Sequence, residues 1–215
     1  MNLPNGNYGA VAEHIICLIL SLAKNLVQAN QQLKNLIWCK DKFISDTISG
    51  KTLVIIGFGK IGKSLSKKAI GLGLRIMVYD PFVNLTKYSQ VQSVSLNKLL
   101  RKSDFITICV PLLKETKNLI DKNKLDFMKP SAFLINCSRG EVIDENALYD
   151  FCKERKIKGA GLDVFTNEPN INYHLCRLKN VIATPHIAGQ TREALKENSE
   201  YALKQVINLL HELQI

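Results

Sequence analysis

No two cysteines in this 215-residue chain stand in a CxxC or other zinc-ligand spacing, although there are six: Cys17, Cys39, Cys109, Cys137, Cys152 and Cys176. That removes the usual zinc modules and redox dithiols from consideration. The simplest reading is a reduced, cytoplasmic chain in which Cys17 and Cys109, set in apolar runs, act as small hydrophobes. Internal repeats and polar low-complexity tracts are also missing, which excludes solenoids and disordered tails. The apolar run from Ile15 to Val27 has no Lys or Arg ahead of it but carries Glu13, so it lacks the flank of a secretory signal. Lys24 and Asn25 cut it short of the ~20 residues that a membrane span needs. A buried or dimer-forming helix fits it better. Net charge is +10, yet the lysine runs 60–68 and 153–158 alternate with apolar residues as solvated helix faces do. No aromatic interleaving accompanies them, so nucleic acid is not an expected partner. No residue set has metal-ligand spacing.

What is present is the pattern of an α/β chain. Residues 9 to about 37 carry Val11, Ile15, Ile16, Ile19, Leu22, Leu26 and Leu33 at helical spacing. Trp38–Gly50 reads as a connector. Short apolar runs follow at 52–56, 75–79, 105–110, 132–136, 160–164 and 181–184, most of them apolar on both faces, as strands of a parallel sheet are. Helical stretches at 61–72, 96–102 and 145–156 separate them, and a last helix is expected over about 191–213. Strand–helix alternation predicts a doubly wound parallel sheet of the Rossmann type. The expected layout is a helical arm (1–49), a Rossmann core (50–189) and a C-terminal helix (190–215).

The segment 52–62 is a strand followed by Gly57-Phe-Gly59-Lys60-Ile61-Gly62 and a helix. The three glycines suit a tight turn, close approach of a pyrophosphate and close helix–strand packing. Lys60 and Ile61 would present backbone amides to the anion at the helix N-terminus. Asp80, eighteen residues after Gly62, closes the second strand. An acid there accepts from ribose hydroxyls and repels a 2′-phosphate, which favours NAD over NADP. Asp80 also reads as a turn residue before Pro81; the upstream glycines favour the cofactor role.

Further motifs occur in a fixed order: Tyr79-Asp80-Pro81-Phe82, Cys109-Val-Pro111-Leu, Asn136-Cys137-Ser138-Arg139-Gly140, Gly161-Leu-Asp163-Val-Phe-Thr-Asn-Glu168-Pro169 and Thr184-Pro-His186-Ile187-Ala188-Gly189. With the glycine motif they resemble the nucleotide-binding domain of D-isomer-specific 2-hydroxyacid dehydrogenases. The segment from Asn7 to His14 is similar to that family's linker helix. The resemblance implies an NAD-dependent oxidoreductase that interconverts a D-2-hydroxy acid and its 2-oxo acid. It also implies a homodimer formed through the arm helices, whose broad apolar stripe one small domain does not cover. YDPF, NCSRG and DVFTNEP are closest to the branch acting on 3-phosphoglycerate.

The resemblance further implies roles for individual residues. Arg139, whose planar fork suits a carboxylate, would hold the substrate. His186 would exchange the proton, as an imidazole does near neutral pH. Glu168 would orient that imidazole and favour its charged form. Asp163 would face the nicotinamide carboxamide, with Pro111, Cys137, Ser138, Ile187, Ala188 and Gly189 as further cofactor contacts. Members of this family carry a second, substrate-gripping domain, roughly 100 residues, that is expected to lie outside this chain. Three readings follow: a dehydrogenase completed by a separate substrate-domain polypeptide, an NAD-binding interaction or sensor protein, and an inactive truncated fragment.

Overall fold

In the computed structural model, residues 7–84, 91–93 and 95–212 are described. Seven strands form one parallel sheet: β1 (Thr52–Ile56), β2 (Arg75–Tyr79), β3 (Val91–Ser93), β4 (Phe105–Ile108), β5 (Phe133–Asn136), β6 (Gly159–Leu162) and β7 (Val181–Ala183). Their order is β3-β2-β1-β4-β5-β6-β7, so the winding reverses between β1 and β4. This is the expected doubly wound fold, with β3 added at one edge. Its three residues are too few for a periodic signal to mark them in the sequence.

Side chains alternate across β1. Val54 and Ile56 join one core layer with Leu99, Ile106, Leu134 and Leu148, whereas Leu53 and Ile55 join the other with Ile15, Ile19, Leu65 and Ile135. Burial on both faces explains why the strands read as unbroken apolar runs. The first layer is covered by α4 (Leu96–Lys102), α5 (Lys122–Leu125), α6 (Glu145–Lys153) and α7 (Tyr173–Cys176). Side-chain caps define the starts of three of these: Asp121 accepts from the Lys124 amide, Asp144 from those of Asn146 and Ala147, and Asn172 from that of His174. The second layer is covered by α1 (Tyr8–Ala23) and α3 (Lys60–Gly71). A Cβ at Gly161 of β6 would lie 3.2 Å from Leu18 and Leu22 of α1, so the missing side chain brings α1 close to the sheet.

The helical arm expected over residues 9 to about 37 is built of two helices. α1 stops at Ala23, and α2 (Leu26–Lys34) leaves at 63°. The break falls at Asn25, in the left-handed region with φ 51°, a conformation Asn tolerates better than most residues. The stripe divides there as well. α1 buries Val11, Ile15, Leu18, Ile19 and Leu22, whereas α2 buries nothing. Past the break, Leu36 (94%), Trp38 (84%) and Ile44 (89%) are exposed. Among the described residues no single helix is long and apolar enough to cross a membrane; α1 and α2 reach that length only as a bent pair. Cys17 is exposed on α1 rather than packed as expected, because its position faces away from the sheet; the buried thiols are Cys137 and Cys152. The last helix, α8 (Arg192–Glu212), exposes Leu195, Leu203, Val206 and Ile207. The expected end at Leu213 lies outside the described residues.

Candidate active site

Because every strand is parallel, all the carboxyl ends lie along one edge, and the loops that follow them carry the predicted site residues. The edge has two parts. On the β1–β2 side the construction is backbone. Gly57 adopts φ +94°, and a Cβ there would come within 2.6 Å of the Cys109 carbonyl oxygen, so only glycine fits. A Cβ on Gly62 would run into the Gly57 carbonyl oxygen. Gly59 caps α3 without a side chain, and nothing lies within 4 Å of where its Cβ would be. The path to the first turn of α3, at Lys60 and Ile61, is therefore clear for a diphosphate drawn by the helix dipole. Asp80, one residue past β2, accepts the Phe58 amide at 2.7 Å through Oδ2 and the Phe82 amide at 2.9 Å through Oδ1. Its cofactor and turn readings are thus compatible: the carboxylate anchors the glycine loop and retains lone pairs for further donors.

On the β4–β7 side the construction is a side-chain network around a cleft of about 420 Å³. Ile61, Pro111, Cys137, Ser138, Arg139, Asp163, His186, Ala188 and Gly189 line it, with Val11 and Asn7 from the start of the chain and Leu195 and Asn198 from α8. Asn136, buried at the end of β5, shapes the turn that presents Arg139. Its Oδ1 accepts from the Ser138 amide (3.0 Å) and hydroxyl (2.8 Å), and its Nδ2 donates to the Arg139 carbonyl (2.8 Å). Gly140 then passes so close to the Phe165–Thr166 backbone that no Cβ fits.

Asp163 follows β6 with 0% exposure. Its carboxylate accepts from the Thr184 hydroxyl (2.6 Å) and the amides of Ile187 (2.9 Å) and Ala188 (2.8 Å), while its carbonyl accepts from the His186 amide (2.8 Å). Ile187 thus enters the site through its amide; its side chain is exposed. These bonds hold His186 at φ +54°, an uncommon conformation that persists only where its surroundings impose it. The His186 ring meets Glu168 at 2.6 Å, Nδ1 to Oε2, with the side chains 49% and 33% exposed. The other Glu168 oxygen accepts the Phe165 amide at 2.8 Å. Burial pulls the Glu168 carboxyl up, but the His186 hydrogen bond, the Phe165 amide and the charges of His186 and Arg139 outweigh it and hold it below its ordinary range.

Burial pushes the Cys109 thiol up to about 12, and that of Cys137 well above its ordinary value with help from the Asp163 charge. Both therefore stay protonated and line the cleft as packing groups. Gly57, Gly59, Gly62, Lys60 and Asp80 lie outside this cleft, on the glycine-loop side of the edge. Sequence reading overlooked Thr184 and Asn136, although both sat inside quoted motifs, and it overlooked Glu145. Glu145 accepts the Thr166 amide and so pins the Glu168 loop from α6; burial raises its carboxyl despite that bond. Nothing in the local sequence marked it.

The fold and the glycine-lined edge define a dinucleotide-binding α/β protein. The chain belongs to the D-isomer-specific 2-hydroxyacid dehydrogenase family, whose NAD-binding domain matches residues 16–188. It is 40% identical over 196 residues to a D-3-phosphoglycerate dehydrogenase of Synechocystis sp., covering 90% of this chain and 35% of that protein. It is also 40% identical over 215 residues to a glyoxylate reductase of Thermococcus litoralis, covering 96% and 65%. A D-lactate dehydrogenase from Aquifex aeolicus, solved with NAD and lactic acid, superposes with a TM-score of 0.91 at 31% identity over 97% of this chain and 68% of that one. The chain thus spans between about a third and two thirds of the relatives it matches.

Proposed function

We propose that this chain is the cofactor-binding and proton-exchanging part of an NAD-dependent D-2-hydroxyacid dehydrogenase. The observation that carries the reading is the 2.6 Å His186–Glu168 pair at the mouth of the cleft that Arg139 also lines. The residues fit the cofactor: Gly57, Gly59 and Gly62 clear the backbone for a diphosphate, and Asp80, at the end of β2, would accept from the ribose hydroxyls. NAD, when bound, supplies or accepts the hydride at the substrate carbon. Arg139 holds the substrate carboxylate and polarises the carbonyl. His186 hands its proton to the carbonyl oxygen during reduction and takes it back during oxidation, with Glu168 fixing the ring and stabilising the imidazolium. Asp163 holds the amides of Ile187 and Ala188, and with Gly189, Pro111, Cys137 and Ser138 these residues would form the wall that receives the nicotinamide.

The substrate class is a small 2-oxo or 2-hydroxy acid. We place phosphoglycerate first on the YDPF, NCSRG and DVFTNEP motifs; the glyoxylate reductase relatives set the main competitor. Two associations belong to the same reading. A second polypeptide carrying a substrate domain would cover the open His186 face and exclude water during transfer. Two copies of the chain would pair through the arm, covering Leu36 and Trp38, and sedimentation at micromolar concentration would then show a dimer. The central test titrates the full chain with NADH by fluorescence, then adds 3-phosphohydroxypyruvate, pyruvate or glyoxylate and follows NADH loss. Saturable binding with consumption of one acid is the expected result. Failure to bind NADH would overturn the reading.

A further inference from the structure

His14 has no part in the chemistry above, yet its side chain makes a hydrogen bond from α1 to Thr184, just ahead of His186. Its Nε2 lies 3.1 Å from the Thr184 hydroxyl oxygen and 3.6 Å from Oδ1 of Asp163, and its side chain is 18% exposed. The place follows from helix geometry. Leu22 and Leu18 sit over Gly161 of β6, and His14 is one turn earlier on the same face. Moving back along α1 therefore tracks β6 forward from Gly161 to Asp163, ending with Val11 in the cleft wall.

The bonding pattern fixes which atom carries the hydrogen. A threonine hydroxyl has one hydrogen, and a carboxylate can only accept. The 2.6 Å contact between Thr184 and Asp163 uses that hydrogen. The Thr184 oxygen is then an acceptor toward His14, so Nε2 of His14 is a donor. A relay results: His14 donates to Thr184, Thr184 to Asp163, and the same carboxylate takes the amides of Ile187 and Ala188 on either side of the residue that follows His186. Without the His14 donor, Thr184 is free to rotate its hydroxyl away, and the buried Asp163 loses the partner that aligns it. Buried networks of this kind lose more on deletion of one member than a single bond suggests.

We infer that His14 is a positioning residue, held as the Nε2–H donor, that orients the Thr184–Asp163 pair and through it the loop carrying His186. The inference rests on the function proposed above for its catalytic consequence, but not for its geometry.

The test uses the ¹⁵N-labelled full chain and the variants H14L, H14Q and T184V. Long-range ¹H–¹⁵N spectra of the rings are expected to show His14 with hydrogen on Nε2. In H14L the amide resonances of Ile187 and Ala188 should move and kcat for 2-oxo acid reduction fall about tenfold, with a smaller change in NADH affinity. H14Q, whose amide nitrogen reaches close to the Nε2 position, should return the resonances and bring kcat to within about threefold of the parent. T184V, which keeps the histidine and removes its acceptor, should move the same two amide resonances and also the Nε2–H signal of His14. A ring hydrogen on Nδ1 alone, or unmoved Ile187 and Ala188 amides in a folded H14L, overturns the inference. If the parent chain reduces none of the acids, the dehydrogenase reading fails separately, and the ring and amide resonances still decide the role of His14.

Discussion

The two ends of the sheet edge are built by opposite means. On the β1–β2 side, the proposed cofactor cradle depends on what is absent: side chains at Gly57, Gly59 and Gly62. Every element of it lies between Thr52 and Asp80. On the β4–β7 side, the proposed active site depends on side chains that must agree with one another, drawn from β5, β6, β7 and α1, up to 170 positions apart in the chain. The difference teaches where each half is vulnerable. A backbone cradle fails by steric filling, whereas a polar network fails by losing a partner.

Substitutions can break this comparison. The largest effect is expected from H186N. Removing the proposed proton carrier should reduce turnover by ~10²–10⁴-fold while NADH titration stays near the parent curve. An equal collapse of cofactor binding would mean that the two ends are not separable. G62A comes next. A methyl group there meets the Gly57 carbonyl oxygen and must push α3 off β1, costing about 1–3 kcal/mol. NADH affinity should fall by about 10–100-fold, read by fluorescence titration. D80N keeps an acceptor but loses the charge, so NADH should weaken by about tenfold, and discrimination against NADPH should relax in the same titrations.

The smallest effect sharpens the network side through pH. Glu168 has its carboxyl held below the ordinary value of 4.5. The unfolded chain therefore binds the proton more readily than the folded one. The stabilisation from Glu168 is present above the ordinary carboxylate range and is lost as pH falls through the lowered folded value. Urea denaturation of parent and E168Q across that acid window should show the parent losing its advantage as pH drops. A constant difference between the two would contradict the assigned pairing.

Much of this arrangement is legible in the sequence. The strands from β1 to β7, apart from β3, announce themselves as short apolar runs because both faces are buried. The glycine loop and Asp80 are local, so spacing alone exposes them. The Arg139, Glu168 and His186 positions came through motif resemblance, since no periodicity or spacing links Asn136 to His186. The arm is legible as helical, but the break within it is not: Leu26 and Leu33 continue the apolar period, whereas the break is made by the backbone of a single asparagine whose tolerance of positive φ is not a periodic signal. Leu26 and Leu33 then lie exposed beyond it.

What the sequence by itself determined is the strand–helix alternation, which implies a parallel sheet, and the glycine loop, because each is marked by residues within a turn, a strand or a helix of one another. Tertiary structure alone decided the rest. It placed Glu168 against His186, set Thr184 and Asp163 beneath the loop, brought His14 across from the other end of the chain and let Glu145 pin the loop from α6. These contacts join segments distant in sequence, and a buried polar group finds its partner only when the packed core has fixed where every other donor and acceptor stands.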